Sequence, residues 1–122
     1  MTAVDTTTVE KAHSARRAAR LMVQASIGGS DTRMLEIARE LLTAASDAFD
    51  QTTLSVHAAS AHRELAEVLV EIGVRRDDNR SVAAALPHFD RAIRGYERAE
   101  LGARSSSTRR RVQWTRQLLA TN

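Results

Sequence analysis

Apolar residues recur along this chain at spacings of three and four, which is the period of an amphipathic helix. Five stretches carry such a stripe, and glycines or clusters of turn-forming polar residues separate them. The predicted helices span residues 9–27, 32–49, 54–72, 81–101 and 107–120. Helices of about 20 residues with short connections favour antiparallel neighbours, so the pattern predicts an all-α fold of stacked hairpins or a bundle.

Residues with known capping roles mark the predicted helix ends. Thr7 and Glu10 have the spacing of a capping box at the start of the first helix. Gly73 is expected just after the third helix and Gly102 just after the fourth, since glycine readily takes the left-handed conformation found there. The charged residues 74–80 are expected to form a solvated connector.

The second helix carries two adjacent apolar stripes. The first consists of Leu35, Ala38, Leu42, Ala45 and Phe49, and the second of Met34, Ile37, Leu41, Ala44 and Ala48. A helix that is apolar this far round is expected to be packed on two sides.

Length and composition agree with one aliphatic helical domain spanning residues 1–122. Hydrophobic residues make up 43% of the chain and aromatic residues only 3%, so the core must be built from Ala, Leu, Val and Ile. The absence of Cys excludes a disulfide framework and a thiolate nucleophile. No apolar run reaches the about 20 residues of a membrane span, and residues 1–9 lack a signal-peptide pattern, so a cytoplasmic location is expected.

A repeated pattern links the second and fourth predicted helices. Each contains a small residue, a bulky residue four positions on, and Ala three positions further: Ala38, Leu42 and Ala45 in one, Ala85, Phe89 and Ala92 in the other. Self-similarity at a fixed offset is the signature of a repeat architecture. Small residues at such positions let two helix axes approach closely, so these side chains are expected to be buried.

At these residues the chain resembles a tetratricopeptide repeat protein. The stretch 85–93 is similar to the corresponding run of kinesin-light-chain-type repeats, and Leu65-Ala66, Leu69 and Gly73 match the pattern of the preceding helix. The resemblance implies a right-handed stack of antiparallel hairpins with about two repeats, at residues 9–50 and 54–102. The final helix, 107–120, would close the stack, because a stacked hairpin leaves its last apolar face open.

Clusters with catalytic or metal-binding spacing do not emerge from the sequence. His57 and His62 are five residues apart, whereas a helical metal pair needs a spacing of four. Glu64, Glu67 and Glu71 form an acidic stripe that is interpreted first as a solvated face. A helical enzyme that uses Glu67 and Glu71 is the second alternative. No catalytic residue, metal site or cofactor is predicted.

The strongest basic cluster is Arg109–Arg111 with Arg116, close to Trp114. The net charge is only +3, and an arginine bias often reports a GC-rich genome. Trp114 also has the i,i+4 spacing of a core contact with Leu118. The helix is therefore expected to close the stack. A regulatory component of a transcription system, with basic ends on nucleic acid, is the first alternative.

The family resemblance also implies a binding surface. Tetratricopeptide arrays generally bind peptides or protein segments on the concave surface lined by the first helix of each repeat. By helical spacing, this surface would contain Ser60, Arg63, Glu67, Val70 and Glu71 on the third helix, and His13, Arg16, Arg20 and Gln24 on the first. The expected activity is therefore non-catalytic binding of a protein or peptide segment, with a nucleic-acid partner less favoured and a homodimer left open.

Overall fold

The computed structural model describes residues 6–121, which form five helices packed in chain order. The helices are α1 (Thr6–Ser26), α2 (Arg33–Asp50), α3 (Ser55–Arg76), α4 (Asn79–Arg98) and α5 (Gly102–Ala120). The predicted all-α fold is confirmed. Residues 1–5, which belong to the polar N-terminal stretch, and residue 122 lie outside the described residues. In the described part, no helix is long and apolar enough to cross a membrane.

Each helix packs on the next one along the chain. Side chains also connect the odd-numbered helices: Arg16 of α1 bonds to Glu64 of α3, and Arg111 of α5 bonds to Glu67 of α3. Because Ser26, further along α1, is bonded by Arg75, further along α3, these two helices run in the same direction. Helices α1, α3 and α5 therefore form a row on one side, with α3 at its centre.

The small–large–small triplets of α2 and α4 are buried, as expected. Ala38, Leu42, Ala45, Ala85, Phe89 and Ala92 are all at most 1% exposed. Four of them pack with aliphatic residues of α3, such as Leu65 and Ile72, in the main core cluster, whereas Ala45 and Ala92 belong to two smaller clusters. The second apolar stripe of α2 behaves differently. Met34 and Ile37 remain 41% and 45% exposed, although α2 contacts both α1 and α3.

The connection between α3 and α4 is much shorter than expected. α3 continues to Arg76 and α4 begins at Asn79, so the prediction of a connector at 74–80 is wrong. Asp77 ends α3 in the left-handed conformation, at φ 52°, that the sequence suggested for Gly73. The carboxylate of Asp78 then accepts a hydrogen bond from the Arg80 amide and caps α4.

Gly73 has a packing role inside α3 instead of an end-capping role. A Cβ atom at this position would lie 2.5 Å from Cγ2 of Val82 and 2.8 Å from the carbonyl oxygen of Asp78. Val82 is itself buried on α4. Glycine is therefore required here because α4 approaches the backbone of α3 closely.

Two other predicted helix ends are wrong. α5 begins at Gly102, five residues before the expected start, and Glu100 with φ 58° takes the left-handed position between α4 and α5. Thr108 therefore lies inside α5, where its buried hydroxyl donates to the carbonyl oxygen of Arg104 at 2.7 Å. Thr7 lies inside α1, which begins at Thr6, and so it cannot be the non-helical residue of a capping box.

The close crossing of α3 and α4 yields a stability prediction at Gly95. A Cβ atom at Gly95 would lie 2.7 Å from Cβ of Ala59, which cannot rotate away. Replacing Gly95 with Ala should lower the free energy of unfolding by about 1–3 kcal/mol, the usual cost of overpacking. The matched control is Gly102→Ala, because nothing lies within 4 Å of a Cβ atom there. Urea unfolding followed by circular dichroism measures the free energy of unfolding of both variants. Equal stability of the two would contradict a close approach of α3 and α4 at Gly95.

Candidate functional groove

A groove of about 600 Å³ runs between α1 and α3. Its lining combines small and aliphatic residues with charged residues at the edges. The apolar lining residues are Ala19, Val23, Ile27, Leu35, Leu42 and Val68, and the charged ones are Arg20, Arg63, Glu64, Glu67, Glu71 and Arg75. Leu35 and Leu42 of α2 line the groove together with residues of α1 and α3, so the groove has an apolar floor and charged edges.

Ion pairs from α1 to α3 hold one end of the groove. Nε of Arg16 donates to Glu64 at 2.7 Å, and Nε of Arg20 donates to the other oxygen of the same carboxylate at 2.9 Å. Arg16 is buried and Arg20 is about half exposed. The buried pair therefore anchors the two helices, while Arg20 stays accessible on the groove edge.

Arg75 holds the other end of the groove. Its guanidinium donates to the carbonyl oxygens of Ser26 at 3.0 Å and Asp31 at 2.9 Å, and to the Glu71 carboxylate at 2.9 Å. The Ser26 carbonyl belongs to the last turn of α1, where such groups have no partner within the helix. Arg75 thus caps α1, fixes the loop after it and orients Glu71.

The third helix is connected to α5 by a second set of contacts. Arg111 donates two hydrogen bonds to Glu67, at 2.8 and 2.9 Å, and Arg63 donates to the Ser107 hydroxyl at 3.1 Å. The Arg111 guanidinium also lies 4.1 Å from the centre of the Trp114 ring, a cation–π arrangement. The expected core contact of Trp114 is wrong, because its side chain packs on Arg111 and stays 40% exposed.

The acidic stripe of α3 is a set of ion pairs on a face that stays partly solvated, since the side chains of Glu64, Glu67 and Glu71 are 27%, 38% and 48% exposed. Glu64 faces α1, Glu67 faces α5, and Glu71 pairs with Arg75 within α3. The arginines that neutralise the first two carboxylates come from helices far apart in sequence. The carboxylates of this stripe therefore bind α1 and α5 to the central helix α3.

Five of the nine residues expected on the binding surface line this groove. They are Arg20, Gln24, Arg63, Glu67 and Glu71. Arg16 lies at the base of the α1–α3 contact. His13 packs against the rings of Phe49 and His57, with ring centroids 5.0 and 4.6 Å away.

The other two expected residues, Val70 and Ser60, do not line the groove. Val70 is 2% exposed and lies in the core, so its assignment to the binding surface is wrong. The Ser60 hydroxyl is hydrogen-bonded to the Tyr96 hydroxyl at 2.9 Å, which directs it towards α4. Ser60 is covered because α4 packs closely along α3, and Val70 is covered because it belongs to the main core cluster.

Several groove residues were missed by sequence reasoning. Ile27, which is 74% exposed, forms an apolar edge beyond the last turn of α1, and Val23 and Val68 line the floor. Arg75 was assigned to a connector, although its i,i+4 spacing from Glu71 indicated that it continues the helix. No sequence pattern indicated that Ile27 lines a groove, since single exposed aliphatic residues are common.

A separate polar chain lies on the opposite side of α3. Nε2–H of buried His62 donates to the Asp50 carboxylate at 2.9 Å. In the tautomer of His62 that carries its proton on Nε2, Nδ1 is an acceptor; it lies 3.0 Å from Nδ1 of His88, which donates to it in that arrangement. Burial lowers the pKa of His88, and the neighbouring His62 and Arg91 lower it further. This chain ties α2, α3 and α4 together.

His88 gives a pH prediction with a definite sign. Because its pKa is lower in the folded state, the unfolded chain takes up the proton first as pH falls below the usual histidine pKa of about 6.5. The free energy of unfolding should keep its full value above that pH and decrease below it. His57, whose pKa is lowered mainly by burial, adds to the decline.

Replacing His88 with Asn keeps an N–H donor near His62 but removes the titrating group. The drop in melting temperature between neutral and mildly acidic pH should then be smaller than in the wild type. Thermal melts followed by circular dichroism measure the difference. An undiminished drop in the variant would show that His88 does not cause it.

No family model, curated protein or solved structure matches this chain. Within residues 6–121, no group of three or more His, Asp or Glu side chains is arranged to hold a metal ion.

Proposed function

We propose that this protein is a non-catalytic binding module that takes up a segment of a partner protein in the groove between α1 and α3. The observation that carries the proposal is the groove itself, which has an apolar floor, charged edges and about 600 Å³ of open volume. Clefts of this size with a largely apolar lining and a few placed polar groups are the usual form of a binding site.

The arrangement of the helices supports a tetratricopeptide-like stack. Helices α1, α3 and α5 lie in one row, as the first helices of successive repeats and a closing helix would. The triplets centred on Leu42 and Phe89 are buried in corresponding positions of α2 and α4. In such a stack, the row of first helices forms the surface that receives a peptide.

The groove suits a short segment with apolar anchors and mixed charge. Val23 and Ile27 offer apolar surface, and burying one aliphatic side chain of the partner is worth about 1.5–3 kcal/mol. The charged edge groups already have partners on the groove edge or on α5, as in Glu71–Arg75 and Glu67–Arg111. They therefore contribute mainly to orientation and selectivity, which is the usual role of charges at an interface.

The two alternative functions receive less support from the contacts. A nucleic-acid interface on α5 would have to rely on Arg110 and Arg116, because Arg109 and Arg111 are paired with Glu97 and Glu67. Carboxylate catalysis at Glu67 and Glu71 would need accessible oxygens on both groups. Glu67 instead accepts two hydrogen bonds from one guanidinium.

The proposal is tested with peptides selected from a random-sequence display library on the immobilised protein. Fluorescence anisotropy then gives the Kd of each selected peptide for two variants, Ile27→Lys and Val74→Lys. Both replaced side chains are exposed aliphatic residues near the end of a helix, at 74% and 50%, but only Ile27 lines the groove. We expect Ile27→Lys to weaken binding by about tenfold or more, since it removes an apolar contact of the size given above.

Val74→Lys should bind with the wild-type Kd. Equal affinities of the two variants, or selection of no peptide at all, would refute the assignment of the groove. Both variants should melt close to the wild-type temperature, because surface substitutions of this kind change stability little.

A further inference from the structure

The first hairpin has an outer face, turned away from α3, that contains only apolar residues. Helical spacing places four of them on α1 and five on α2: Ala15, Ala18, Met22, Ala25, Met34, Ile37, Leu41, Ala44 and Ala48. The opposite edge of α2 is the one that contacts α3, since Glu36 pairs with Arg76 and Asp50 with His62. The outer face is therefore distinct from the groove.

Part of this face is covered by the described residues, since Ala15, Met22, Leu41 and Ala48 are half-buried against the hydrophobic core. Met34 and Ile37 are each more than two-fifths exposed, and Ala25 and Ala44 are exposed as well. At the opposite end of the stack, α5 packs on α4 and covers the corresponding face. A contiguous exposed apolar surface without a charged residue is characteristic of an interface.

We propose that this outer face binds the same face of a second copy of the chain, with a two-fold axis near Leu41. In a two-fold interface, each residue meets the partner residue that lies at an equal distance beyond the axis. The two α2 helices then run antiparallel, so Met34 meets Ala48 of the second copy and Ile37 meets Ala44. Each large side chain is placed against a small one, as close packing requires.

Charges beside the stripe favour the same pairing. Arg33, Glu40 and Asp47 immediately precede the stripe residues at 34, 41 and 48, and so they follow one edge of the face. The antiparallel arrangement brings Arg33 of one copy near Asp47 of the other, twice in each dimer. Arg33 has an 86% exposed side chain and only a long contact of 3.4 Å with Asp31, so it is available.

Glu40 has the opposite effect. It lies beside the axis, where it meets Glu40 of the second copy, and two adjacent like charges repel each other. The dimer should therefore be reversible and should tighten when Glu40 is replaced with Gln. A parallel arrangement would instead pair Arg33 with Arg33 and Asp47 with Asp47, which disfavours it.

Sedimentation velocity on the full chain, from low to high micromolar concentration, tests the proposal. We expect the mass of a dimer at the higher concentrations, and a monomer for Ile37→Lys, whose dimer Kd should rise by about tenfold or more. Val74→Lys is the matched control, since it places the same charge at an exposed aliphatic site outside this face. Its dimer Kd should equal that of the wild type.

The charge pairing is tested separately by reversal. Arg33→Asp and Asp47→Arg should each weaken the dimer, and the two changes in the same chain should restore it. A wild-type monomer at every concentration, an unchanged dimer in Ile37→Lys, or additive weakening in the double reversal would each overturn the proposal. None of these outcomes bears on the groove, whose test measures peptide affinity.

Discussion

The close approach of α3 and α4 is the constraint on which the rest of the structure depends. Gly95 lies against Ala59 at one end of the crossing and Gly73 lies against Val82 at the other, and neither glycine has room for a Cβ atom. With α4 packed this tightly on one side and α2 on another, α3 becomes the central helix. Helices α2 and α4 leave only the charged edge of α3 uncovered, and the residues of that edge form the contacts with α1 and α5. The groove exists because α1 is joined to α3 through long arginine side chains and not through direct apolar packing along its whole length.

The helices and the core could be predicted from sequence because both follow from local periodicity. The buried triplet around Phe89 is one example, since its spacing shows a close helix crossing without reference to any distant residue. The boundary between α3 and α4 could not be found this way. Asp77 takes a conformation that a non-glycine residue rarely adopts, while Gly73, which the sequence pattern suggested for that role, lies inside α3 against Val82.

The candidate site was only partly predictable for a similar reason. Helical spacing identified Arg63, Glu67 and Glu71 as neighbours on one face, but their partners lie on other helices or in a segment assigned to a loop. Such pairings depend on how the hairpins stack, which no local pattern specifies. The misplacement of Val70 has the same origin, since its burial in the main core cluster is a tertiary property.

The central claim, that the groove between α1 and α3 receives a peptide segment, is tested most directly by amide NMR. The isotope-labelled protein would be titrated with a selected peptide while backbone amide shifts are followed. We expect saturable shifts at groove residues on both helices, such as Gln24, Val68 and Glu71, with little change at Gln113 or Arg116 on α5. Shifts centred on the surface between α4 and α5, with those groove residues unaffected, would contradict it.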